Sequence, residues 1–151
     1  MHFSDKGAIL QEICRHAFGE LISAAESLSA LDGPPEVRLR RMIEVYVDFG
    51  FANPNAYRLI YLTRPVEARD GAQSLSQELG AGVFAAFETL VGETVAAGRM
   101  EGDPRMIAQS IWASAHGVVS LMITKPYFPW AGREVLVKTT LDAVFSGLLK
   151  S

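Results

Sequence analysis

Apolar residues recur at the spacing of an α-helix along almost the whole of this 151-residue chain. From Ile9 to Leu28 they fall at every third or fourth position, which places them on one face of a long amphipathic helix. No segment shows the two-residue alternation of a half-buried strand, and no internal repeat is visible. The sequence therefore predicts an all-α fold.

Capping and proline signals divide the helical pattern into six helices. Asp32-Gly33-Pro34-Pro35 ends the first helix, and Asn53-Pro54 ends the second and opens a short third one. Thr63-Arg64-Pro65 closes the third, and Gly102-Asp103-Pro104 starts the fifth. The predicted helices cover residues 4–31, 35–52, 54–62, 67–98, 104–124 and 133–150.

Length and composition indicate one soluble domain. A chain of 151 residues with 49% hydrophobic and 21% charged residues can bury a core without a metal or a disulfide. The net charge of −3 argues against direct contact with nucleic-acid phosphates, and a single cysteine excludes a multi-thiolate zinc site. The sequence has no signal-peptide pattern and no apolar run of about 20 residues, so we expect no membrane contact and a cytoplasmic protein.

The last two predicted helices are apolar on more than one side. In the fifth helix Ile107 and Trp112 begin apolar rows on different faces, and the sixth carries a second row of mostly small residues. Such helices need cover on both sides, and small side chains allow close approach across a two-fold axis; alternatively, the small residues pack within one subunit. We predict a homodimer whose interface contains Ile111, Ala115, Val118, Met122, Leu136, Thr140, Ala143 and Gly147.

No group of residues points to catalysis. The three histidines lie far apart in sequence, and neither a glycine-rich phosphate loop nor a nucleophile elbow is present. Glu12, His16 and Glu20 share one helical face at a spacing that can chelate a cation, but such a triple more often forms ordinary polar surface. We therefore predict no catalytic residues, no metal, no cofactor and no enzyme activity.

Aromatic residues on helices that should pack together are candidates for a binding cavity. Aromatic walls with a few polar atoms are typical of a pocket for an apolar small molecule, although aromatics at helical spacing also form solid cores. His116 distinguishes the two readings, because a buried imidazole needs a hydrogen-bond partner, either a ligand or a tyrosine hydroxyl or carbonyl of the protein. The candidate ligand-binding residues are Tyr46, Phe49, Tyr57, Tyr61, Phe84, Phe87, Trp112 and His116.

Three segments, taken in order, resemble the C-terminal domains of the tetracycline-repressor (TetR) family. WASAHG at 112–117 resembles the Trp-x3-His-Gly signature of one subgroup, in the penultimate helix. NPNAYRLI at 53–60 is similar to the segment after the first regulatory helix of those domains. HFSDKGAIL at 2–10 looks like the join between the recognition helix and the connecting helix. Together these resemblances cover essentially the whole chain.

The resemblance implies a six-helix bundle in which the last two helices of each subunit form a four-helix dimer interface. It implies an effector pocket among the middle helices, a connecting helix at residues 4–31, and a close helix crossing at Gly117. Family members carry about three further helices upstream, a basic helix-turn-helix that reads DNA. Residues 1–3 are then the end of that reader, and 4–151 are the ligand-binding and dimerisation domain, which reaches DNA only through a helix-turn-helix not present in this chain.

Three functions remain open from the sequence. The first is the regulatory half of a TetR-family regulator that binds a small apolar or aromatic effector. The second is a stand-alone small-molecule-binding or adaptor domain without DNA binding, and the third, least favoured, is an enzyme built on helices. In-frame codons for a basic helix-turn-helix of roughly 45 residues before Met1 would separate the first from the second.

Overall fold

A computed structural model describes residues 3–62 and 71–151 of the chain, and their regular structure is helical. It confirms the predicted all-α fold of six helices. A π-helical turn, Arg58–Leu62, follows the third helix directly. The helices are α1 (Phe3–Ala30), α2 (Pro35–Ala52), α3 (Pro54–Tyr57), α4 (Gly71–Ala96), α5 (Pro104–Thr124) and α6 (Arg133–Leu148).

The helices pack around one core, to which α2 and α4 contribute from the middle of the bundle. Both contact α1 on one side and α5 on the other, and α6 packs on α5. The fully buried side chains include Phe18 of α1, Leu39 of α2 and Val91 of α4, together with Ile111 of α5 and Leu141 of α6. This arrangement places the long helix α1 against the same core as the helices that follow it.

Local signals end and begin the helices as the sequence predicts. Gly98 ends α4 with φ of +76°, a left-handed conformation that costs a glycine little. Pro104 occupies the first turn of α5, and the Asp103 side chain accepts a hydrogen bond from the Met106 backbone N–H at 3.3 Å. Residues 67–70 of the predicted fourth helix lie outside the described residues.

The third helix differs from the prediction of a single α-helical segment. Only Pro54–Tyr57 is α-helical, and Arg58–Leu62 forms a π-helical turn. An apolar pattern over so few residues does not separate the two kinds of turn, because their periods differ by less than one residue. The turn holds Tyr57 and Tyr61 side by side, with their ring centroids 4.8 Å apart.

Two stretches of the described chain, Glu78–Ala96 and Pro104–Thr124, are long and apolar enough to cross a membrane. Length and composition alone are weak evidence, since a core helix of a soluble protein meets the same criterion. In α5, Ile107, Ile111 and Val119 are buried against the other helices of the bundle. The apolar character of α5 is therefore explained in part by its position in the core.

Candidate functional site

Four helices and the π-helical turn border an apolar cavity that is partly open to solvent. Five of the eight predicted ligand-binding residues line it: Tyr46, Tyr61, Phe84, Phe87 and Trp112. The remaining described wall residues are Leu21, Ala25, Met42, Ile43, Val45, Gly80 and Val83. Helices α1, α2, α4 and α5, with the π-helical turn, therefore all contribute to the wall.

The cavity is narrow. Its free volume is about 40 Å³, by a measure in which one water molecule needs roughly 10–15 Å³. It thus has room for about three water molecules. An organic ligand with more non-hydrogen atoms than that, including one the size of a substituted benzene, fits only if the walls move apart.

A chain of hydrogen bonds runs behind the aromatic wall. The Trp112 indole N–H donates to the Tyr46 hydroxyl at 2.9 Å. The Tyr46 and Tyr57 hydroxyl oxygens are 2.8 Å apart, and the Tyr57 hydroxyl is hydrogen-bonded to Nδ1 of His116. Three elements, α2, α3 and α5, are joined by this chain.

Burial determines the protonation states of the side chains in this hydrogen-bond chain. Burial raises the pKa values of Tyr46, Tyr57 and Tyr61 above the usual tyrosine range, so all three keep their protons at neutral pH. Burial also lowers the pKa of His116, which favours the neutral ring. If every hydroxyl donates once in the direction from Trp112 to His116, Nδ1 of a neutral His116 accepts the last proton.

The other three predicted ligand-binding residues lie outside the wall. Tyr57 is fully buried and connects Tyr46 to His116, and His116 is half-buried on α5. Phe49 belongs to the buried core of α2. Of the two alternatives left open for the imidazole, the structure shows the tyrosine hydroxyl as its partner.

Sequence reasoning missed the aliphatic part of the wall. Leu21 and Ala25 belong to the apolar row of α1, which gave no reason to separate them from ordinary core positions. Gly80 lies within the predicted fourth helix, and its lack of a side chain leaves space at the α4 wall of the cavity. Periodicity could have selected the inward faces, but not which inward residues border free space.

A second feature is the outward face of α5 and α6, which we call the α5–α6 face. No Asp, Glu, Lys or Arg occurs in α5 after Arg105. The face consists of Met106, Ser110, Ala113, Gly117 and Leu121 of α5 with Val135, Thr139, Ala143, Ser146 and Gly147 of α6. All are exposed except Gly117, which is partly buried. A Cβ atom added at Gly117 or Gly147 would meet no atom within 4 Å.

The eight predicted interface residues do not all lie on the α5–α6 face. Ala143 and Gly147 are exposed on the α5–α6 face, and Val118, Met122, Leu136 and Thr140 are partly buried beside it. Ile111 and Ala115 are buried inside the protomer, 0% and 1% exposed. They are therefore removed from the predicted interface, because α5 turns this part of its apolar surface toward the core.

The close helix crossing expected at Gly117 does not form within the protomer, since no atom lies within 4 Å of a Cβ added there. The close crossing lies at Gly50 of α2 instead. A Cβ atom there would be 2.7 Å from Cγ1 of Val119 and 3.0 Å from Cδ2 of Tyr57. Gly50 thus lets α2 approach both α5 and α3 beside the hydrogen-bond chain.

Among the described residues, no group of three or more metal-ligating side chains is close enough to hold an ion. Nε2 of His16 lies 3.7 Å from Oε1 of Glu20, and both side chains are mostly exposed. Glu12 pairs with Arg15 at 3.3 Å. This part of α1 is a solvated polar face.

Comparison with known families assigns the chain. The profile described as the tetracycline repressor-like C-terminal domain matches residues 39–144, which include α3, α4 and α5 and most of α2 and α6. The chain belongs to this family. It is therefore a regulatory domain of the TetR type, which the resemblance of WASAHG and its companion segments had indicated.

A solved structure has the same fold. It is a protein of unknown function from Rhodococcus sp. RHA1, with a TM-score of 0.79 and 26% sequence identity. The match covers 99% of this chain and 77% of that one. No curated protein matches the sequence.

Proposed function

We propose that this chain is the effector-binding and dimerisation half of a cytoplasmic TetR-family transcriptional regulator. It binds a small apolar or aromatic effector and relays that binding to a DNA-binding helix-turn-helix outside the chain. The observation that carries the proposal is the apolar cavity, because a cavity bordered by Tyr46, Phe84 and Trp112 is built like a small-molecule site. Membership of a family of regulatory domains supports it.

Helix α1 provides a route from the cavity toward the N-terminus. Leu21 and Ala25 of α1 form part of the wall, so a ligand that widens the cavity must move α1 or its neighbours. From Leu21 to Phe3 the helix extends about 27 Å at 1.5 Å per residue. A small tilt at the wall is therefore magnified at the end where the family carries its DNA reader, with residues 1–3 as the end of that reader.

An effector alters regulation only if it favours one arrangement of two readers over another. Two readers must lie about 34–36 Å apart to occupy successive major grooves. We propose that the required dimer forms through the α5–α6 face, where small uncharged residues allow close contact between subunits. Ala143 and Gly147 are exposed on this face, and Val118, Met122, Leu136 and Thr140 are partly buried beside it.

The cavity is tested by filling it. A thermal-shift screen with apolar and aromatic compounds identifies ligands, because binding to the native state raises the melting temperature. Gly80→Leu is expected to reduce the affinity of cavity ligands at least tenfold, since the new side chain occupies the free space. The nearest atom to an added Cβ is Cζ of Phe18 at 3.8 Å, so the backbone accepts the substitution.

Gly82→Leu is the matched control, on the same helix two residues away. Gly82 is exposed and an added Cβ meets nothing within 4 Å, so ligand affinity should not change. Equal affinity in both variants would mean that the ligands bind elsewhere. A screen in which no compound raises the melting temperature would remove the ligand-binding proposal.

The proposed dimer is tested by placing a charged side chain on the α5–α6 face. Wild-type protein is expected to scatter light as a dimer, at twice the 16.4 kDa subunit mass. Gly147→Arg should give monomers, because two buried guanidinium groups would face each other across the axis. Gly147 is exposed with open space at its Cβ, so the protomer should still fold.

Gly19→Arg serves as the control for the same change at an exposed site on α1, also with open space. It should remain dimeric. A wild-type monomer at high micromolar concentration would contradict dimerisation, and a dimeric Gly147→Arg would place the interface elsewhere.

A further inference from the structure

We infer that the cavity selects an uncharged, mainly apolar ligand that carries one hydrogen-bond-accepting oxygen, such as a ketone, an ester or an ether, and that it rejects carboxylates and amines. The inference rests on the proposed function and narrows its effector to a chemical class. It follows from the absence of charged residues in the described wall and from a count of the wall's polar atoms that make no hydrogen bond within the protein.

The described wall offers no partner for an ion. None of its twelve residues is Lys, Arg, His, Asp or Glu. An ionised group moved from water into such surroundings loses its hydration and gains no opposite charge, which costs several kcal/mol even after relaxation. Because burial keeps the tyrosines protonated, no phenolate is present at neutral pH to accept an ammonium group.

Most polar atoms of the wall are already used within the protein. The single N–H of the Trp112 ring donates to Tyr46, and the Tyr46 hydroxyl is bonded to both Trp112 and Tyr57. Tyr57 is bonded in turn to His116. When Tyr46 donates to Tyr57, it has no proton left for a ligand.

The Tyr61 hydroxyl is different. No hydrogen bond joins it to another residue in the part of the chain that the structure describes, although Tyr61 lines the cavity. Its ring is in contact with Tyr46, Tyr57 and Trp112, at centroid distances of 5.5, 4.8 and 6.1 Å. Its retained proton is therefore the one side-chain donor of the described wall residues that no protein atom accepts, and the inference assigns it to an oxygen atom of the ligand.

Four probes with the same number of non-hydrogen atoms test the selection against charge and the hydrogen bond separately. Acetophenone carries an accepting oxygen, cumene is its apolar counterpart, benzoate is an anion and 1-phenylethylamine is a cation at neutral pH. Their affinities for the full chain can be measured by ligand-observed NMR at millimolar concentration. We expect acetophenone to bind about tenfold more tightly than cumene, and benzoate and 1-phenylethylamine to bind at least tenfold more weakly than cumene.

Tyr61→Phe removes only the hydroxyl and tests its role. The variant should bind acetophenone about two- to tenfold more weakly, the range for one neutral hydrogen bond, and should bind cumene as well as the wild type does. If both probes occupy the cavity, cumene should displace acetophenone from the wild-type protein. No such displacement should be seen with Gly80→Leu.

Each of the following results would contradict one part of the inference. Benzoate or 1-phenylethylamine binding as tightly as acetophenone would refute the selection against charge and leave the proposed function intact. Equal binding of acetophenone and cumene, or no effect of Tyr61→Phe, would refute the hydrogen bond. If none of the four probes binds, the cavity is not a ligand site, and the proposed function fails together with the inference.

Discussion

Tyr57→Ala is expected to lower the free energy of unfolding by about 3–5 kcal/mol, the range for removing a large aromatic side chain from a core. Tyr57 is 0% exposed, its ring contacts Tyr46, Tyr61 and His116, and its hydroxyl is the middle link of the hydrogen-bond chain. Its removal creates a cavity and also leaves the Nδ1 atom of His116 without this partner.

Urea denaturation followed by circular dichroism measures the effect, at one protein concentration because dimer formation would couple to stability. Tyr57→Phe keeps the ring and removes the hydroxyl, so a loss of about 1–3 kcal/mol is expected. Tyr127→Ala is the control, since Tyr127 is 81% exposed and should change stability by less than about 0.5 kcal/mol. A Tyr57→Ala variant as stable as this control would contradict the described packing.

Gly50→Ala is expected to lower the free energy of unfolding by about 1–3 kcal/mol, the usual cost of overpacking a core. In a free helix the same change would be favourable by about 1 kcal/mol. Here the added methyl group would lie 2.7 Å from Cγ1 of Val119 and 3.0 Å from the Tyr57 ring, so these buried side chains or α2 itself must shift.

The control for Gly50→Ala has the opposite expected sign. Gly82→Ala places the same methyl group on an exposed position of α4 with open space, so a gain of about 0.5–1 kcal/mol is expected. Thermal unfolding of the two variants measures the contrast. A Gly50→Ala variant that is as stable as Gly82→Ala would show that α2 and α5 are not held at this distance.

The sequence predicted the helices well because their ends carry local signals. Asp103-Pro104 begins α5, and Asn53-Pro54 separates α2 from α3, where both prediction and structure place them. These signals act through the backbone of a few neighbouring residues, so a single sequence contains them. The π-helical turn at Arg58–Leu62 has no such signal, and its tyrosine pair was recognised only as two aromatics at helical spacing.

The site was predicted less completely than the fold. Tyr46 and Trp112 were recognised as wall residues because aromatic side chains are conspicuous in a helical pattern. Leu21 and Gly80 were not, since an aliphatic residue or a glycine borders a cavity only when its neighbours leave space beside it. The hydrogen bond between Tyr57 and His116 also joins residues that are 59 positions apart in the sequence.

The sequence by itself determined that this chain forms six helices and where most of their described ends lie, and it indicated the family to which they belong. Only the tertiary structure decided which side of α5 faces inward, and it chose the side with Ile111 and Ala115. The reason is that helical periodicity fixes the angle of each side chain about the axis of its own helix. It does not fix where the neighbouring helices lie. A helix that is apolar on most sides can turn any of them to the core, so only the packing of its neighbours shows which side is buried.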